Sequence, residues 1–486
     1  MEPAPYSQSP RIRRRFGLDA IRPTAGAGAF LALAIGVALR LWMFSEFNQF
    51  NGDMVIYGDL ARNLVLHGRY ALTGSGGDVY PTLIRLPGYP LFLAGCFQLF
   101  GMENYGVVGF IQIGLEVLGC LLLADFVRLT TPPRLCRGAA LATLWLAALC
   151  PFTSSYAGAA MPESLTLSAA SLALWTVARF RQRPGWGFAL VFTFAVTAAA
   201  LLRPDGPLLA VALAPCLLLG LDPKLLPVKK LARMAVVCVS LALAPFAAWA
   251  WHNWQVFHVF EPLTPRLATD PGESTNPGWE RWVKSWCLDF ASTYDIYWNV
   301  PDNPLDLTKL PSRAFDSPAQ RAETAALVAD YNNGQQLTPE IDARFGHLAD
   351  ERSAAHPLRS AAWLPLGRVA DMWLRPRIEN LPIDTDWWVY ANHHSETIFS
   401  WSYAGLNAFY LLLALAGIWF RPRLWQCMTA YMLLRSVLLL TVEAPEARYT
   451  LECFPMLFAL GGFALYLLMK FVLLSVFTTK ASAGRG

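Results

Sequence analysis

Charged residues are scarce in this 486-residue chain: Asp, Glu, Lys and Arg together make up 15% of it, whereas hydrophobic residues make up 55%. Soluble domains carry roughly 25% charged residues, so an ordinary soluble protein is excluded. The short alternating segments of a membrane β-barrel are also missing. Instead, the apolar residues gather in runs close to 20 residues long, enough for a helix to cross a hydrocarbon core of about 30 Å. The composition therefore predicts an all-α polytopic membrane protein.

The motifs of metal and redox chemistry are absent too. The chain has nine cysteines, but it has no CxxC pair and no Cys/His spacing suited to zinc. Its histidines lack the HExxH spacing. We therefore expect the cysteines to be small buried hydrophobic side chains, and we predict neither a metal nor a cofactor. The net charge of +4 is mild, and we predict no nucleic-acid partner.

The apolar runs predict the number of spans. A shorter run at 86–100 is interrupted by prolines and glycine and is either interfacial or an additional span, so we expect about 10–12 transmembrane helices. The ten longer runs lie near 25–44, 105–127, 138–157, 163–180, 187–202, 205–221, 232–251, 403–420, 424–441 and 453–469.

Lysine and arginine occur in every second connection, as expected for cytoplasmic loops. This alternation predicts that both termini lie in the cytoplasm, with the N-terminal RIRRRF segment as an anchor flank and not a cleaved signal peptide. The basic residues are Arg11, Arg13, Arg14 and Arg15, then Arg128, Arg134 and Arg137, then Arg179, Arg181 and Arg183, then Lys224, Lys229, Lys230 and Arg233, then Arg421 and Arg423, then Lys470 and Lys480.

The remaining connections then share the outer face, and they hold the unusual charges of the chain. We expect a transmembrane catalytic module at 1–252 with a first outer loop at 45–104. A mostly helical extracytoplasmic insertion at 253–402 follows, and residues 403–486 supply C-terminal transmembrane helices. The outer charges that converge in this arrangement are Asp53, Arg85, Glu163, Arg203, Asp205, Glu443, Glu446 and Arg448.

Two carboxylates are candidates for catalysis. Asp53 either caps the helix that follows it or acts as a general base at the membrane surface, where a carboxylate of ordinary pKa is ionised. Glu163 begins a predicted span, where a negative charge favours the helix dipole. Otherwise it lines the same outer cavity as Asp53.

The arginines have two interpretations each. Arg85 and Arg448 either extend their charges into the headgroup region or bind phosphate through the planar guanidinium fork, and Glu443 and Glu446 could orient Arg448. Arg203 lies between two spans, and Asp205 could be its partner. Arg40 is either an anion contact or an interfacial side chain. Glu116 and Arg435 fall within spans, where charges are functional candidates or form a structural pair.

These residues occur in a pattern that resembles a known family. An Arg ends the first span, an Asp follows about a dozen residues later, and an R-x-P-G-Y-P-L-F segment comes after a helix. The motif of that helix is Tyr-x-x-x-Ala-x-x-Leu-x-x-x-Gly-x-Tyr (Tyr57, Ala61, Leu64, Gly68, Tyr70). The pattern resembles the C-type integral membrane glycosyltransferases, namely the dolichyl-phosphate-mannose–protein mannosyltransferases and the bacterial aminoarabinose transferases. The later PES, LLRPDG and E-x-R-Y pieces resemble the bacterial branch.

The resemblance implies a site. Asp53 would be the catalytic aspartate of the first loop. Many members of the family carry Asp-Glu at this point, whereas this chain carries Asp53-Met54, so Glu163 would supply any second acid. Arg85, Arg203 and Arg448 would surround a lipid phosphate. The candidate substrate-binding residues that lie in the same motif pieces are Arg40, Tyr57, Tyr89 and Tyr449.

The implied function is an inverting glycosyltransferase of the bacterial cytoplasmic membrane with its site facing the periplasm. It would move a sugar from a polyprenyl-phosphate donor to a glycolipid, polysaccharide or protein acceptor, with membrane lipid as a further partner. A flippase for a lipid-linked sugar would need the same arginines but no base, and such transporters often show internal repeats, which this chain lacks. A non-catalytic membrane scaffold would need neither a base nor a phosphate cluster.

Overall fold

The computed structural model describes residues 22–47, 52–218, 226–266, 268–301, 303–334 and 336–483. These residues form eighteen α-helices and one two-stranded antiparallel sheet, and the expected all-α polytopic fold is confirmed. The arginines of the N-terminal tail and Lys224, which support the predicted orientation, lie outside the described residues.

The helices and strands follow one another with short connections in the first half of the chain. They are α1 (Arg22–Phe47), α2 (Asp53–His67), β1 (Ala71–Thr73), β2 (Val79–Pro81), α3 (Gly88–Phe100), α4 (Tyr105–Thr130), α5 (Cys136–Ala148), α6 (Pro151–Ala157), α7 (Glu163–Gln182), α8 (Trp186–Leu202), α9 (Pro207–Leu218) and α10 (Val228–Phe257).

The second half contains the predicted insertion and the last membrane helices. Its elements are α11 (Pro277–Lys284), α12 (Phe290–Asp295), α13 (Pro318–Gly334), α14 (Pro339–Ala355), α15 (Leu364–Leu374), α16 (His394–Phe420), α17 (Trp425–Leu439) and α18 (Phe454–Ala483). A 3-10 turn at Tyr297–Asn299 follows α12, and another at Ala447–Cys453 precedes α18.

The predicted count of about 10–12 spans stays a prediction. Each of the ten predicted runs contains helix, but five helices among the described residues are long and apolar enough to cross a membrane, or six if the bent pair α5 and α6 is one span. That pair bends by 57° at Pro151, since proline cannot donate the hydrogen bond that would continue the helix. Twelve residues of α9 are described, fewer than a span needs. The five helices include Gly26–Phe47, Tyr105–Thr130, Val228–Phe257, His394–Phe420 and Ala447–Leu473.

The membrane helices pack around α4, which contacts α5, α7 and α18, while α16 packs along α18. In a bilayer, close backbone approach and not water exclusion holds helices together. Gly417 of α16 illustrates this, since a Cβ there would lie 2.3 Å from the carbonyl oxygen of Leu460. Likewise, a Cβ on Gly462 would lie 2.1 Å from the Thr143 hydroxyl.

The insertion has its own aromatic core. Trp282, Trp286 and Phe345 are fully buried in it, and α11 packs against α14. Thr293 links α12 to the connection between α17 and α18, because its hydroxyl donates to the carbonyl oxygen of Pro445 at 3.0 Å. The insertion therefore contacts the connection between α17 and α18. The predicted domain boundaries at 252 and 402 stay a prediction, although α10 and α16 both run across them.

Most of the cysteines have the predicted character. Cys120, Cys150 and Cys453 are buried in the membrane core. The prediction is wrong for Cys216 and Cys427, which form a disulfide between α9 and α17. Nothing in their sequence spacing of 211 residues indicated this pairing.

Candidate active site

Asp53 is held at the start of α2 by the turn before it. Gly52 has a φ of 51°, in the left-handed region that glycine adopts without a Cβ clash. Asp53 is the first residue of the helix, where a negative charge interacts favourably with the helix dipole. Gly68 ends the helix in the left-handed conformation, and its N–H donates to the carbonyl of Leu64. Together these glycines fix the length of α2.

Arg85 is fixed by the hairpin that follows α2. β1 and β2 pair antiparallel and lead into the loop that carries Arg85. The Tyr70 hydroxyl donates to the carbonyl oxygen of Arg85 at 2.9 Å, and the N–H of Leu83 donates to Asp270 at 2.7 Å. These bonds hold the backbone on either side of the arginine, so its guanidinium is presented from an ordered loop.

A large cavity opens beside these elements. Its volume is about 1340 Å³, which is large enough to hold a sugar and a phosphate together. The starts of α2 and α7 contribute to its walls, as do the Arg85 loop, the α8–α9 turn, the connection before α18, and two parts of the insertion, namely α12 and residues 375–387.

Asp53 lies between two arginines at this cavity. Its Oδ1 accepts from Nη2 of Arg85 at 2.7 Å, and its Oδ2 lies 2.9 Å from Nη2 of Arg448. Burial by itself would raise the pKa of Asp53, but the guanidinium groups of Arg448 and Arg85 outweigh it and lower that pKa to about 2. The carboxylate is therefore ionised at neutral pH and has both oxygens occupied.

Arg448 is oriented by its own neighbours in the 3-10 turn. Its Nε donates to Glu446 at 2.5 Å, and the Tyr449 hydroxyl donates to the other oxygen of the same carboxylate. The guanidinium groups of Arg448 and Arg203 lie 5.8 and 5.7 Å from the centre of the Tyr449 ring, within the range of a cation–π contact. Tyr449 thus contacts both arginines.

Glu163 belongs to a second, more buried set of charges. Its Oε1 lies 3.3 Å from Nη1 of Arg203 and 3.9 Å from Nη1 of Arg448, so it links Arg448 to the deeper network. Arg203 also contacts Asp205 at 3.3 Å and Glu452 at 3.0 Å. The two interpretations of Arg203 are therefore compatible, because it pairs with Asp205 and also lines the cavity.

Arg435 completes this network from α17. Its Nη2 lies 2.8 Å from Asp205 and 2.7 Å from Glu452, and its Nε donates to the carbonyl oxygen of Tyr449 at 2.6 Å. Arg435 is fully buried and does not line the cavity. The sequence hypothesis of a structural pair with Glu116 is wrong, since the partners of Arg435 are Asp205 and Glu452.

Seven of the nine candidate residues line the cavity together. They are Asp53, Tyr57, Arg85, Glu163, Arg203, Arg448 and Tyr449. The structure does not place Arg40 there. It is fully buried, with Nη2 2.8 Å from Glu116 and Nη1 donating to the carbonyl oxygen of Ala148 at 2.7 Å. Arg40 therefore joins α1, α4 and α5. The expectation that it contacts an anion or lies at the membrane interface is wrong.

Tyr89 is also displaced from the expected position. Its hydroxyl donates to Gln112 at 2.7 Å, and its ring meets the Tyr57 ring edge-on at 5.0 Å. Tyr57 stands in front of it, with the Arg85 guanidinium 6.0 Å from the centre of the Tyr57 ring. Burial raises the pKa of Tyr57 to about 12, so Tyr57 keeps its proton at neutral pH. Tyr89 supports Tyr57 and does not reach the cavity.

Several lining residues were not predicted. Tyr156 of α6 and the pair Arg375 and Glu379, whose Nε and Oε1 are 3.0 Å apart, belong to the cavity wall. None of the three was among the sequence candidates for the site. Glu452, which contacts Arg203 and Arg435 but does not line the cavity, was not among the sequence candidates either.

One group of possible metal ligands lies at the edge of the cavity. Asp384, His393 and Glu396 place ligand atoms within 4.8 Å of one another, and Asp384 lines the cavity. His393 already contacts Asp386 at 3.1 Å. Exposed groups of this composition are common without an ion, and we assign no metal to them.

Comparison with known proteins gives structural matches only. No protein-family model matches the chain, and no curated protein sequence matches it. ArnT from Cupriavidus metallidurans in the apo state is similar with a TM-score of 0.36 and 14% identity, over 91% of this chain and 78% of that one. ArnT bound to undecaprenyl phosphate gives a TM-score of 0.32 and 15% identity, over 90% and 77%. ArnT is an aminoarabinose transferase, the branch that the sequence pattern resembles. Similarity this weak carries no argument about function, which rests on the cavity itself.

Proposed function

We propose that this protein is a glycosyltransferase that moves a sugar from a polyprenyl-phosphate donor to an acceptor, an inverting enzyme working on the outer face of a bacterial cytoplasmic membrane. The observation that carries the proposal is the position of Asp53 between Arg85 and Arg448. Two guanidinium groups converge on one carboxylate in a cavity large enough for a sugar phosphate. The same convergence suits a phosphate group, which accepts from arginine in the same fork geometry.

The phosphate of the sugar donor and the Asp53 carboxylate therefore compete for the same two guanidinium groups. As the donor phosphate takes Arg85 and Arg448, Asp53 loses the two partners that lower its pKa. Its pKa then rises towards the ordinary value of about 4, and its oxygens become free. Donor binding thus converts a paired, weakly basic carboxylate into a base placed next to the anomeric carbon.

The transfer then proceeds as one displacement. Asp53 accepts the proton of the acceptor hydroxyl or amine as that group attacks the anomeric carbon. The bond from the anomeric carbon to the phosphate oxygen breaks, and Arg85 and Arg448 stabilise the charge that grows on the leaving phosphate. One displacement with one base inverts the configuration of the sugar. Glu163 holds Arg203 and Arg448 in place.

The test is sugar transfer by isolated membranes, which supply their own acceptor. Undecaprenyl-phosphate-linked radiolabelled sugars, one hexose and one pentose, serve as donors. We expect wild-type membranes to incorporate at least one label into an acceptor, and Arg85→Ala membranes to lose that transfer. Arg69→Ala is the matched control, because Arg69 is exposed and does not line the cavity.

Transbilayer movement separates this proposal from the flippase hypothesis. Purified protein in liposomes is given the same donors, and the accessibility of the labelled lipid is followed from each side. Movement of the lipid without any transfer in membranes would overturn the transferase proposal in favour of the flippase.

A further inference from the structure

One wall of the cavity carries an aromatic stripe that the proposed chemistry does not use. Phe290, Tyr294 and Trp298 follow at four-residue intervals along α12 and the 3-10 turn after it. Their ring centres lie 5.4 to 6.1 Å apart. All three line the cavity.

Two of these rings are exposed. Tyr294 is 52% exposed and Trp298 is 43% exposed, whereas Phe290 is buried. The guanidinium of Arg375 lies 4.8 Å from the centre of the Phe290 ring, so Phe290 has a partner and supports the other two. Exposed aromatic surface in a concave site is typical of a binding surface.

The stripe lines the same cavity as Arg448. The bond from the Thr293 hydroxyl to the carbonyl oxygen of Pro445 sets α12 against the connection that carries Glu446 and Arg448. A ligand held on the rings would therefore lie against the part of the wall that the insertion contributes, in the cavity that Asp53 also lines.

Polar groups border the rings. The Thr385 hydroxyl, at the cavity wall, donates to the Asp295 carboxylate at distances of 3.2 and 3.3 Å from its two oxygens. The Tyr297 hydroxyl donates to Glu280 at 3.0 Å. Aromatic faces bordered by hydroxyl and carboxylate groups match a pyranose, whose ring has an apolar C–H face and a periphery of hydroxyls. An acyl or isoprenoid chain would need only the apolar part.

We propose that Tyr294 and Trp298 form a saccharide-binding platform that holds a sugar ring of the acceptor. This inference rests on the proposed function, and it selects a glycan-containing acceptor over a protein acceptor. The exposed ring faces pack against the C–H face of the sugar. The Thr385 hydroxyl, which lines the cavity, accepts from or donates to hydroxyls of the sugar.

Saturation-transfer NMR on the full-length protein in nanodiscs tests the platform directly. The probes are methyl β-D-glucopyranoside, methyl α-D-mannopyranoside and methyl N-acetyl-β-D-glucosaminide. We expect the ring C–H protons of at least one probe to receive saturation from the wild type. This transfer falls by about fivefold or more in Trp298→Ala and Tyr294→Ala, as expected for the loss of one aromatic stacking contact, and Trp298→Phe restores part of it.

Trp363→Ala is the matched control, because Trp363 is an exposed tryptophan of the insertion, 69% accessible, that does not line the cavity. Equal signals in Trp298→Ala and the wild type would overturn the platform. So would the absence of signal from all three glycosides, or saturation confined to the alkyl chain of octyl β-D-glucopyranoside, which would identify a lipid contact.

Polyprenyl phosphate binding is measured on the same samples and is expected to be equal in all of these variants. If the wild type binds the glycosides but no polyprenyl phosphate, the proposed function fails while the platform stands. If polyprenyl phosphate binds and no glycoside does, the platform fails while the proposed function stands.

Discussion

At the scale of single residues, two carboxylates of the same molecule differ because their surroundings differ. Asp53 faces two guanidinium groups, which lower its pKa to about 2. Glu280 of the insertion has no arginine within hydrogen-bonding distance among the described residues. Burial raises its pKa to about 7, although the bond from Tyr297 opposes that rise. The first carboxylate is ionised at neutral pH, and the second is about half protonated near pH 7.

Glu280→Gln is expected to raise the thermal unfolding midpoint at pH 8 and to change it little near pH 4.5. Because the folded-state pKa of Glu280 lies above its ordinary value of 4.5, the folded protein retains a proton that the unfolded chain releases. The resulting penalty grows from about pH 4.5 to 7 and stays constant above. Glutamine removes the charge and still accepts from Tyr297.

Scanning fluorimetry at pH 5, 7 and 8 measures the effect, with Glu340→Gln as the control at an exposed position. A difference between Glu280→Gln and the wild type that does not change with pH would contradict the assignment.

Some site residues were predictable because charged residues are rare in this chain, so each charged residue in an outer connection is conspicuous. Asp53, Arg85 and Arg448 stood out because connections on one side carried them, and the cavity does bring them together. Arg40 and Tyr89 were misplaced since their partners, Glu116 and Gln112, lie 76 and 23 residues away. A sequence pattern does not show which side of a helix meets such a partner.

At the scale of elements, α3 positions the loop that carries Arg85. Gly88, its first residue, lies so close to α8 that a Cβ there would be 2.5 Å from the carbonyl oxygen of Leu201. We expect Gly88→Ala to force α3 and α8 apart, to lower the unfolding midpoint, and to weaken polyprenyl phosphate binding by about tenfold, or about 1.4 kcal/mol.

Gly95→Ala in the same helix is the control, because a Cβ there meets nothing within 4 Å and alanine favours the helix. Fluorimetry and equilibrium binding would show the contrast. Equal behaviour of the two variants would mean that the α3–α8 contact does not position Arg85.

The Arg40–Glu116 pair is a second element-scale feature, since it joins α1 to α4. Removing one partner leaves a buried charge, at a cost of about 3–5 kcal/mol. We expect Arg40→Gln and Glu116→Gln each to lose stability, the double variant to recover part of it, and polyprenyl phosphate affinity to be unchanged in the folded fraction. A loss of polyprenyl phosphate affinity in Arg40→Gln but not in Glu116→Gln would indicate that Arg40 contacts the substrate.

The helices were more predictable than their lengths. Apolar runs indicated where helices occur, because a helix that is buried in a membrane needs a long stretch of apolar residues. Their ends depend on breaks such as Pro151 and on polar caps such as Asn104, whose side chain accepts from the N–H of Val107 at 3.3 Å. For this reason not every apolar run coincides with a described helix that is long enough by itself to cross a membrane.

At the scale of the whole molecule, the orientation stays a prediction from the alternation of basic loops. It places the cavity and the insertion outside. We expect Glu340→Cys, in α14, to react with a membrane-impermeant maleimide in intact cells. Arg183→Cys, in a basic connection, should react only after permeabilisation. Both native side chains are exposed, and the unsubstituted protein controls for its native cysteines. The opposite pattern would reverse the orientation.

The cavity is a property of the whole fold, since its walls come from both ends of the chain. Asp53 and Arg448 are separated by almost the entire sequence, yet they lie 2.9 Å apart. No local sequence pattern predicts that these two residues are in contact. The resemblance and the charge distribution indicated these residues, and the fold supplied the ion pair between the start of α2 and the connection before α18.

The most direct measurement is polyprenyl phosphate binding and sugar transfer by Asp53→Asn side by side with the wild type. Asparagine is neutral and competes poorly for Arg85 and Arg448. We therefore predict that the variant binds the phosphate about tenfold more tightly, a gain of about 1.4 kcal/mol, and transfers no sugar. Weaker binding, or transfer at the wild-type rate, would contradict the claim that Asp53 gives up its arginines to the donor and then acts as the base.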